Sequence, residues 1–377
     1  MILGIDASSI RSGGGVTHLV ELLRAATPSD YGFKKVIVWG GRATLAKIED
    51  RDWLLKVNDP LLDRGLFYRV FWQCFVLKNL AQNSKCNVLF VLGGSDASGF
   101  KPMVIMSQNL LPFEWTELLR FGWSLHTLKF ILLRWTQSHS FRNADGIIFL
   151  TKYARDAVLN VTGPLVGKRE IIPHGINSRF IFPSRQHRHL SEFQDDKPCR
   201  ILYVSIVHPY KHQWHVVEAV AKLKSTGVPI VLKLVGPPAS GMKRLSDTIN
   251  RIDPEGKFIT FCGAVPYEEL NTYYASADIG VFASSCETMA NILLEGMAAS
   301  LPMACSFKGP MPAILRDAGT YFDPESSNSI AQALNLLIAS SEIRVEKAEA
   351  GLKLSQQYSW QRCASKTFAF LAQISDV

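Results

Sequence analysis

Short apolar runs recur along the chain. Each is followed by a glycine- or serine-rich turn and then by a stretch with apolar positions three and four apart. Met1–Ser8, Lys35–Trp39, Val88–Leu92, Met103–Met106 and Gly146–Leu150 read as strands in the first half. Arg200–Ser205, Ile230–Val235, Phe258–Phe261 and Ile279–Ala283 repeat the rhythm in the second. Such runs fit strands buried on both faces of a sheet. The helical period appears over Val16–Ala26, where Leu19, Leu22 and Leu23 share a face, and over Trp214–Lys224. It appears again over Tyr267–Ala275, with Glu268 and Glu269 in the first turn, and from Ser359-Trp360 to Ile374. Thr151 is placed to cap a helix opening at Lys152. Strands alternating with helices predict an α/β fold built on parallel sheets. Residues 181–199 are polar, contain proline and lack a period, so they are expected to link two domains, 1–180 and 200–358, with a terminal helix over 359–377.

The 377 residues are enough for two domains, and 47% hydrophobic content lets each bury a core. No apolar run approaches the roughly 18–20 residues that span a bilayer. The chain begins at once with a strand and shows no charged leader, so no signal peptide is expected. The seven cysteines are scattered without metal-ligand spacing. They read as reduced thiols of a cytoplasmic protein, and neither a metal nor a cofactor is expected.

Charge is uneven. Residues 1–183 carry 22 Lys and Arg against 14 Asp and Glu, whereas the remainder carries 19 against 19. The first half is therefore expected to meet an anionic surface. Two segments sharpen this: Arg64–Leu80 and Leu118–Trp135 mix aromatic, aliphatic and basic residues and contain no acid. Either could lie in an anionic membrane interface. Equally, either could be a core helix whose basic side chains reach outward. Nucleic acid is not expected, because the basic residues accompany long apolar faces rather than a polar stripe with stacking aromatics.

The richest chemistry lies in Ser284–Pro302. Glu287 and Glu295 stand eight residues apart, the first in a turn after a strand, the second about two turns into a helix opening near Met289. A helix N-terminus at the carboxyl edge of a parallel sheet offers backbone N–H groups to an anion such as a diphosphate. Carboxylates beside it can accept hydrogen bonds from sugar or ribose hydroxyls. An ordinary surface turn with solvated acids remains the plain alternative. Lys211 sits between a strand and a helix, suited to a phosphate or simply solvated. The loop Gly13-Gly14-Gly15 allows close backbone approach but is not the G-x-G-x-x-G fingerprint, so a dinucleotide-dependent dehydrogenase is poorly supported.

Ser284–Pro302 resembles the E-x7-E region of the retaining glycosyltransferases of family 4, the group 1 glycosyltransferases, which have the GT-B fold. The likeness continues through Gly309-Pro310-Met311-Pro312, Asp317-Ala318-Gly319 and Tyr321-Phe322-Asp323-Pro324. It extends to Ile171-Ile172-Pro173-His174-Gly175 and to Cys262-Gly263-Ala264-Val265-Pro266, the family's loop over the donor base. The resemblance implies two Rossmann-like domains with parallel sheets facing across a cleft, the terminal helix returning to the first. It implies transfer of a sugar from a nucleotide diphosphate sugar to a saccharide or lipid-linked saccharide, as in O-antigen or capsule assembly, without a metal. Lys211 and the backbone of Thr288, Met289, Ala290 and Asn291 would hold the diphosphate, Glu287 the transferred sugar and Glu295 the ribose. Gly14 and Gly15 would lie near the donor phosphates or the acceptor, and His174 would be structural. Two departures stand out. Gln108 and Asn109 occupy the place of a family histidine, where Asn109 could still reach a sugar hydroxyl and Glu114 could face the acceptor, or both could be turn formers. Ser205 and Ile206 stand where many members have an arginine, a loss that His208 could partly make good. These departures keep open an inactive, membrane-associated binding or scaffold protein on the same fold.

Overall fold

The computed structural model describes residues 1–375. It divides into two compact units, one of Met1–Gly175 with the chain from Tyr358 onward, the other of Ile176–Gln357. In the first unit the strands are β1 (Ile2–Ala7), β2 (Lys35–Gly40), β3 (Leu54–Val57), β4 (Val88–Val91), β5 (Met103–Ser107), β6 (Gly146–Phe149) and β7 (Lys168–Ile171). They form one parallel sheet in the order β3-β2-β1-β4-β5-β6-β7. Its helices are α1 (Gly14–Arg24), α2 (Arg42–Leu45), α3 (Leu66–Phe75), α4 (Leu77–Asn83), α5 (Trp115–Leu119), α6 (Leu125–Asn143) and α7 (Lys152–Thr162).

The second unit holds β8 (Cys199–Val204), β9 (Ile230–Val235), β10 (Ile259–Gly263), β11 (Ile279–Phe282), β12 (Met303–Ser306) and β13 (Gly319–Phe322), ordered β10-β9-β8-β11-β12-β13 and again parallel. Around it run α8 (Gln213–Ser225), α9 (Met242–Ile252), α10 (Leu270–Ser276), α11 (Asn291–Ala298), α12 (Met311–Leu315), α13 (Ser327–Ala339) and α14 (Ser341–Ser355). The last helix, α15 (Trp360–Ser375), packs in the first unit against α1, β4 and β5.

Central strands β4, β6, β11 and β12 are buried throughout, as strands covered by helices on both faces must be. Four strands escape the sequence reading: the edge strands β3 and β7, which are short and partly exposed, so β7 tolerates Lys168, Arg169 and Glu170, and the four-residue β12 and β13. Three helices differ from expectation. Residues 64–80 break at Val76 into α3 and α4, and residues 118–135 divide at 120–124 between α5 and α6. Tyr267–Glu269 forms only turns after Pro266, so Glu268 and Glu269 precede α10 rather than opening it. Thr151 Oγ1 accepts from the Ala154 N–H at 3.1 Å and caps α7 as expected. Residues 181–199 lie along the second unit, where Arg185 donates to the carbonyls of Tyr274 and Ala277 and Arg188 pairs with Asp278 at 2.7 Å.

Right-handed crossovers sort the helices of the first unit. Strand steps from β1 to β3 run one way, and those from β3 to β7 run the other. Thus α1 and α2 cover one face and α3 to α7 the opposite face. On the α1 side, His18 and His174 are buried with Nδ1 atoms 2.9 Å apart, and both rings lie against Trp360. One Nδ1 must donate and the other accept, so the accepting ring must be neutral. Burial drives both pKa values down, that of His174 to about 3. His174 is thus part of a core contact.

Folding favours the neutral rings, so their contribution is complete above pH 6.5 and is lost as pH falls toward 3. Wild type should lose about 1.4 kcal/mol per pH unit more than His174→Gln between pH 6 and pH 4.5. Denaturant unfolding of both proteins across that range measures the difference in slope. Parallel slopes would mean that the ring is not held neutral.

Candidate functional site

A parallel sheet opens a crevice at its carboxyl edge where the strand order reverses. In the second unit that point lies between β8 and β11, which places the loop after β8 beside the loop after β11. The two are stitched together: the Ser285 N–H donates to Tyr210 O at 2.9 Å, and Ser285 Oγ lies 2.9 Å from His212 Nε2. Pro209–Lys211 forms one 3-10 turn, and Tyr203 in β8 donates its hydroxyl to Lys211 O. His212 then takes a left-handed conformation, φ 52°, before α8 begins. A non-glycine residue there costs energy and is held only by its surroundings.

This arrangement aims Lys211 across the loops. Its ammonium forms an ion pair with Glu287 Oε1 and lies 5.2 Å from the ring centres of Tyr210 and Phe282. The side chains are only 7% and 14% exposed, so each charge depends on the other. Just beyond, Thr288, Met289 and Ala290 are buried and lead into α11. Leu293 and Leu294 donate to Ala290 O, so the helix starts at Asn291, two residues later than its composition indicated. The first-turn N–H groups of α11 make this an end with positive character.

Glu295 lies inside α11 in a different environment. It accepts from the Tyr274 hydroxyl at 3.0 Å and the Tyr267 hydroxyl at 3.3 Å. Burial raises its pKa to about 7 despite those bonds and the nearby Arg179 guanidinium. Tyr267 and Tyr274 are partners that the sequence reading missed; their spacing of seven residues, about two helical turns, was the available signal. His208 bonds Ser240 Oγ through Nδ1 at 2.9 Å and stacks on Tyr210. Ser205 is buried at the end of β8.

In the first unit the order reverses between β1 and β4. Gly13 takes φ 65° and turns the chain into α1, which Gly14 and Gly15 open. A Cβ at Gly15 would sit 3.2 Å from Gln108 Oε1, so the glycine loop and the loop after β5 adjoin. Asn109 Oδ1 accepts from the Leu111 N–H at 3.2 Å, forming a local turn. Glu114 accepts from the Tyr153 hydroxyl at 2.7 Å. Among the described residues no group of three or more His, Cys, Asp or Glu side chains could hold a metal ion.

Residues 169–354 match the family described as Glycosyl transferases group 1. The chain is 27% identical over 222 residues to the O-antigen chain mannosyltransferase B of Escherichia coli, covering 59% of this chain and 56% of that protein. The chain thus spans little more than half the length of that curated relative. Solved structures align over nearly the whole chain. A sucrose-phosphate synthase from Thermosynechococcus elongatus aligns with TM-score 0.78 at 18% identity, covering 99% of this chain and 98% of that one. The Anabaena protein HepE in complex with UDP and glucose aligns with TM-score 0.73 at 15% identity, covering 99% and 100%. The fold is GT-B, with a parallel sheet and its helices in each unit.

Two expectations follow. Lys211→Met should cost about 3–5 kcal/mol by leaving Glu287 buried and unpaired, and the double variant Lys211→Met/Glu287→Leu should recover most of it. A double-mutant cycle on unfolding free energies measures this coupling; additive losses would show that the pair is not coupled. For Glu295 folding favours the protonated form, so its contribution is present below pH 4.5 and lost as pH rises through 7. Glu295→Gln cannot ionise and should gain about 3 kcal/mol on wild type between pH 4.5 and pH 7.5 in the same measurement.

Proposed function

We propose that the protein is a retaining glycosyltransferase of family 4. It moves a hexose from a nucleotide diphosphate sugar to a saccharide or lipid-linked saccharide on the cytoplasmic side of a bacterial surface-polysaccharide pathway. The observation that carries this reading is the buried Lys211–Glu287 pair at the carboxyl edge of the second sheet, beside the N-terminus of α11 and within the matched segment. Bond cleavage leaves charge on a diphosphate and creates cationic character at the sugar. Fixed dipoles and cations placed in advance lower the cost of both.

Lys211 and the backbone of Thr288, Met289, Ala290 and Asn291 hold the diphosphate in this reading. As the phosphate arrives, the ammonium exchanges part of its contact with Glu287 for the leaving group. Glu287 is then freed to accept from the sugar hydroxyls. Glu295 accepts from the ribose, held in place by Tyr267 and Tyr274. His208 supplies a further donor-side contact. Gly14 and Gly15 serve the donor phosphates or the acceptor, Asn109 the sugar, and Glu114, braced by Tyr153, the acceptor. Attack on the face that the leaving group departs from retains the configuration without an enzymic nucleophile, and no step requires a metal.

Gln108, Asn109 and Ser205, where family members carry histidine and arginine, favour the second reading, an inactive binding protein on this fold. Thermal unfolding with UDP, GDP, ADP and dTDP separates the two. One nucleotide, at 100 times its dissociation constant, should add about 2.7 kcal/mol, and Lys211→Ala should weaken that effect. UDP and GDP are the first to try, given a neighbour bound to UDP and a mannosyltransferase relative. With the matching sugar nucleotide, Glu287→Ala should abolish turnover while staying folded. No shift with any nucleotide in folded wild type would support the inactive reading.

A further inference from the structure

Exposed apolar side chains are concentrated in two places. Among the described residues, six large exposed hydrophobic residues fall within 66–75 and eight within 115–135, against seven in all the rest of the chain. On α3, Phe67, Phe71 and Phe75 recur every four residues and line one outward stripe, 77%, 45% and 66% exposed. Just before and along α6, Trp123, Leu128 and Trp135 are 107%, 64% and 69% exposed. An apolar area of this extent, gathered on neighbouring elements, marks an interaction surface.

The undersides of these helices are fixed. Trp72 Nε1 donates to Asp59 at 3.0 Å, and Gln73 donates to the buried Asp6 at 2.6 Å and to Ser95 O at 3.0 Å. From α6, Thr136 Oγ1 lies 3.4 Å from Ser95 Oγ, and Gln137 reaches Gly93 O. Both helices therefore grip the single loop after β4, and the crossover rule sets them on the same face of the sheet. Polar anchors face inward and aromatic residues face outward, so neither stripe can turn into the core without breaking these bonds.

The charge on this face identifies its partner. Neither Leu66–Asn83 nor Leu125–Asn143 contains an acid, and the one acid of α5, Glu117, is buried and paired with Arg120, while Lys78 and Lys129 are exposed and Arg64 lies over the Tyr68 ring. A second copy meeting this face symmetrically would set like charges together with no carboxylate from these helices to answer them. An anionic lipid surface satisfies both features, since phosphates take the lysines while the aromatic and aliphatic side chains enter the acyl boundary. No described helix is long and apolar enough to cross a membrane, which fits a face that lies in the interface. We propose that α3 and the segment from α5 through α6 form one docking face for an anionic phospholipid bilayer. The proposal does not depend on the sugar-transfer reading.

The test is vesicle flotation of the full chain at 150 mM salt. Wild type should partition at least tenfold more onto vesicles of phosphatidylcholine with about one-third phosphatidylglycerol than onto phosphatidylcholine alone. Phe67→Ser/Phe75→Ser/Trp123→Ser/Leu128→Ser, all on the surface, should retain the circular dichroism of the wild type and bind at least tenfold more weakly. Lys78→Glu/Lys129→Glu should lose the preference for anionic lipid, since each basic residue near such a surface contributes about fivefold. Equal partitioning of wild type and the four-residue variant would overturn the proposal. So would self-association, or binding to a protein partner, that these substitutions abolish while wild type ignores vesicles.

Discussion

A parallel sheet has to be covered on both faces, and that requirement governs this molecule. Each strand needs a crossover helix to bring the chain back, so every strand points the same way and every loop that follows a strand emerges at one edge. Where the order of strands reverses, neighbouring crossovers leave on opposite faces and open a gap at that edge. The second unit places its buried ion pair at this gap, and the first places its glycine loop at the corresponding one. The strands themselves carry no chemistry; they fix where the chemistry must appear.

At the gap in the second unit two carboxylates close in sequence are held in opposite ways. Glu287 is matched by a cation at contact distance. Glu295 has two tyrosine hydroxyls and the more distant Arg179 guanidinium, and burial dominates, raising its pKa to about 7. The division of labour proposed for them, one facing the sugar and the other the ribose, rests on the resemblance.

The faces of the first unit are treated unequally. On the side of α1, helix α15 covers the sheet, and the His18–His174 contact against Trp360 is sealed there. On the other side, α3 and α6 are fastened from below through Asp6, Asp59 and the loop at Gly93–Ser95. Their aromatic residues are left over once the sheet is covered. Excess apolar surface on a well-anchored element is retained for contact with something else, and its accompanying charge is basic.

Much of this was legible from residue order. Most buried central strands announce themselves as apolar runs, so β9 was placed residue for residue and several others within one or two, but the short buried β12 and the edge strand β13 were not read as strands. The glycine loop, Lys211 and the Glu287–Glu295 spacing were visible because their residue types and turn positions are local properties. The half-exposed edge strands β3 and β7 were not visible, since an edge strand needs neither a continuous apolar run nor clear alternation. The break at Val76 and the turn at Tyr267–Glu269 also escaped, because local hydrogen bonding and burial of Trp72, Leu270 and Tyr274 decide where those helices begin and end. Sequence left Arg64–Leu80 and Leu118–Trp135 balanced between core and surface, and only the packed structure turned Phe67, Phe71, Phe75, Trp123 and Trp135 outward while burying Trp72. It likewise could not show that Lys211 closes on Glu287 or that two tyrosines hold Glu295. Sequence determines what each residue can do within reach of its chain neighbours. Which distant groups meet is settled by the packing of the sheets, because contact between residues 76 positions apart exists only once β8 and β11 lie side by side.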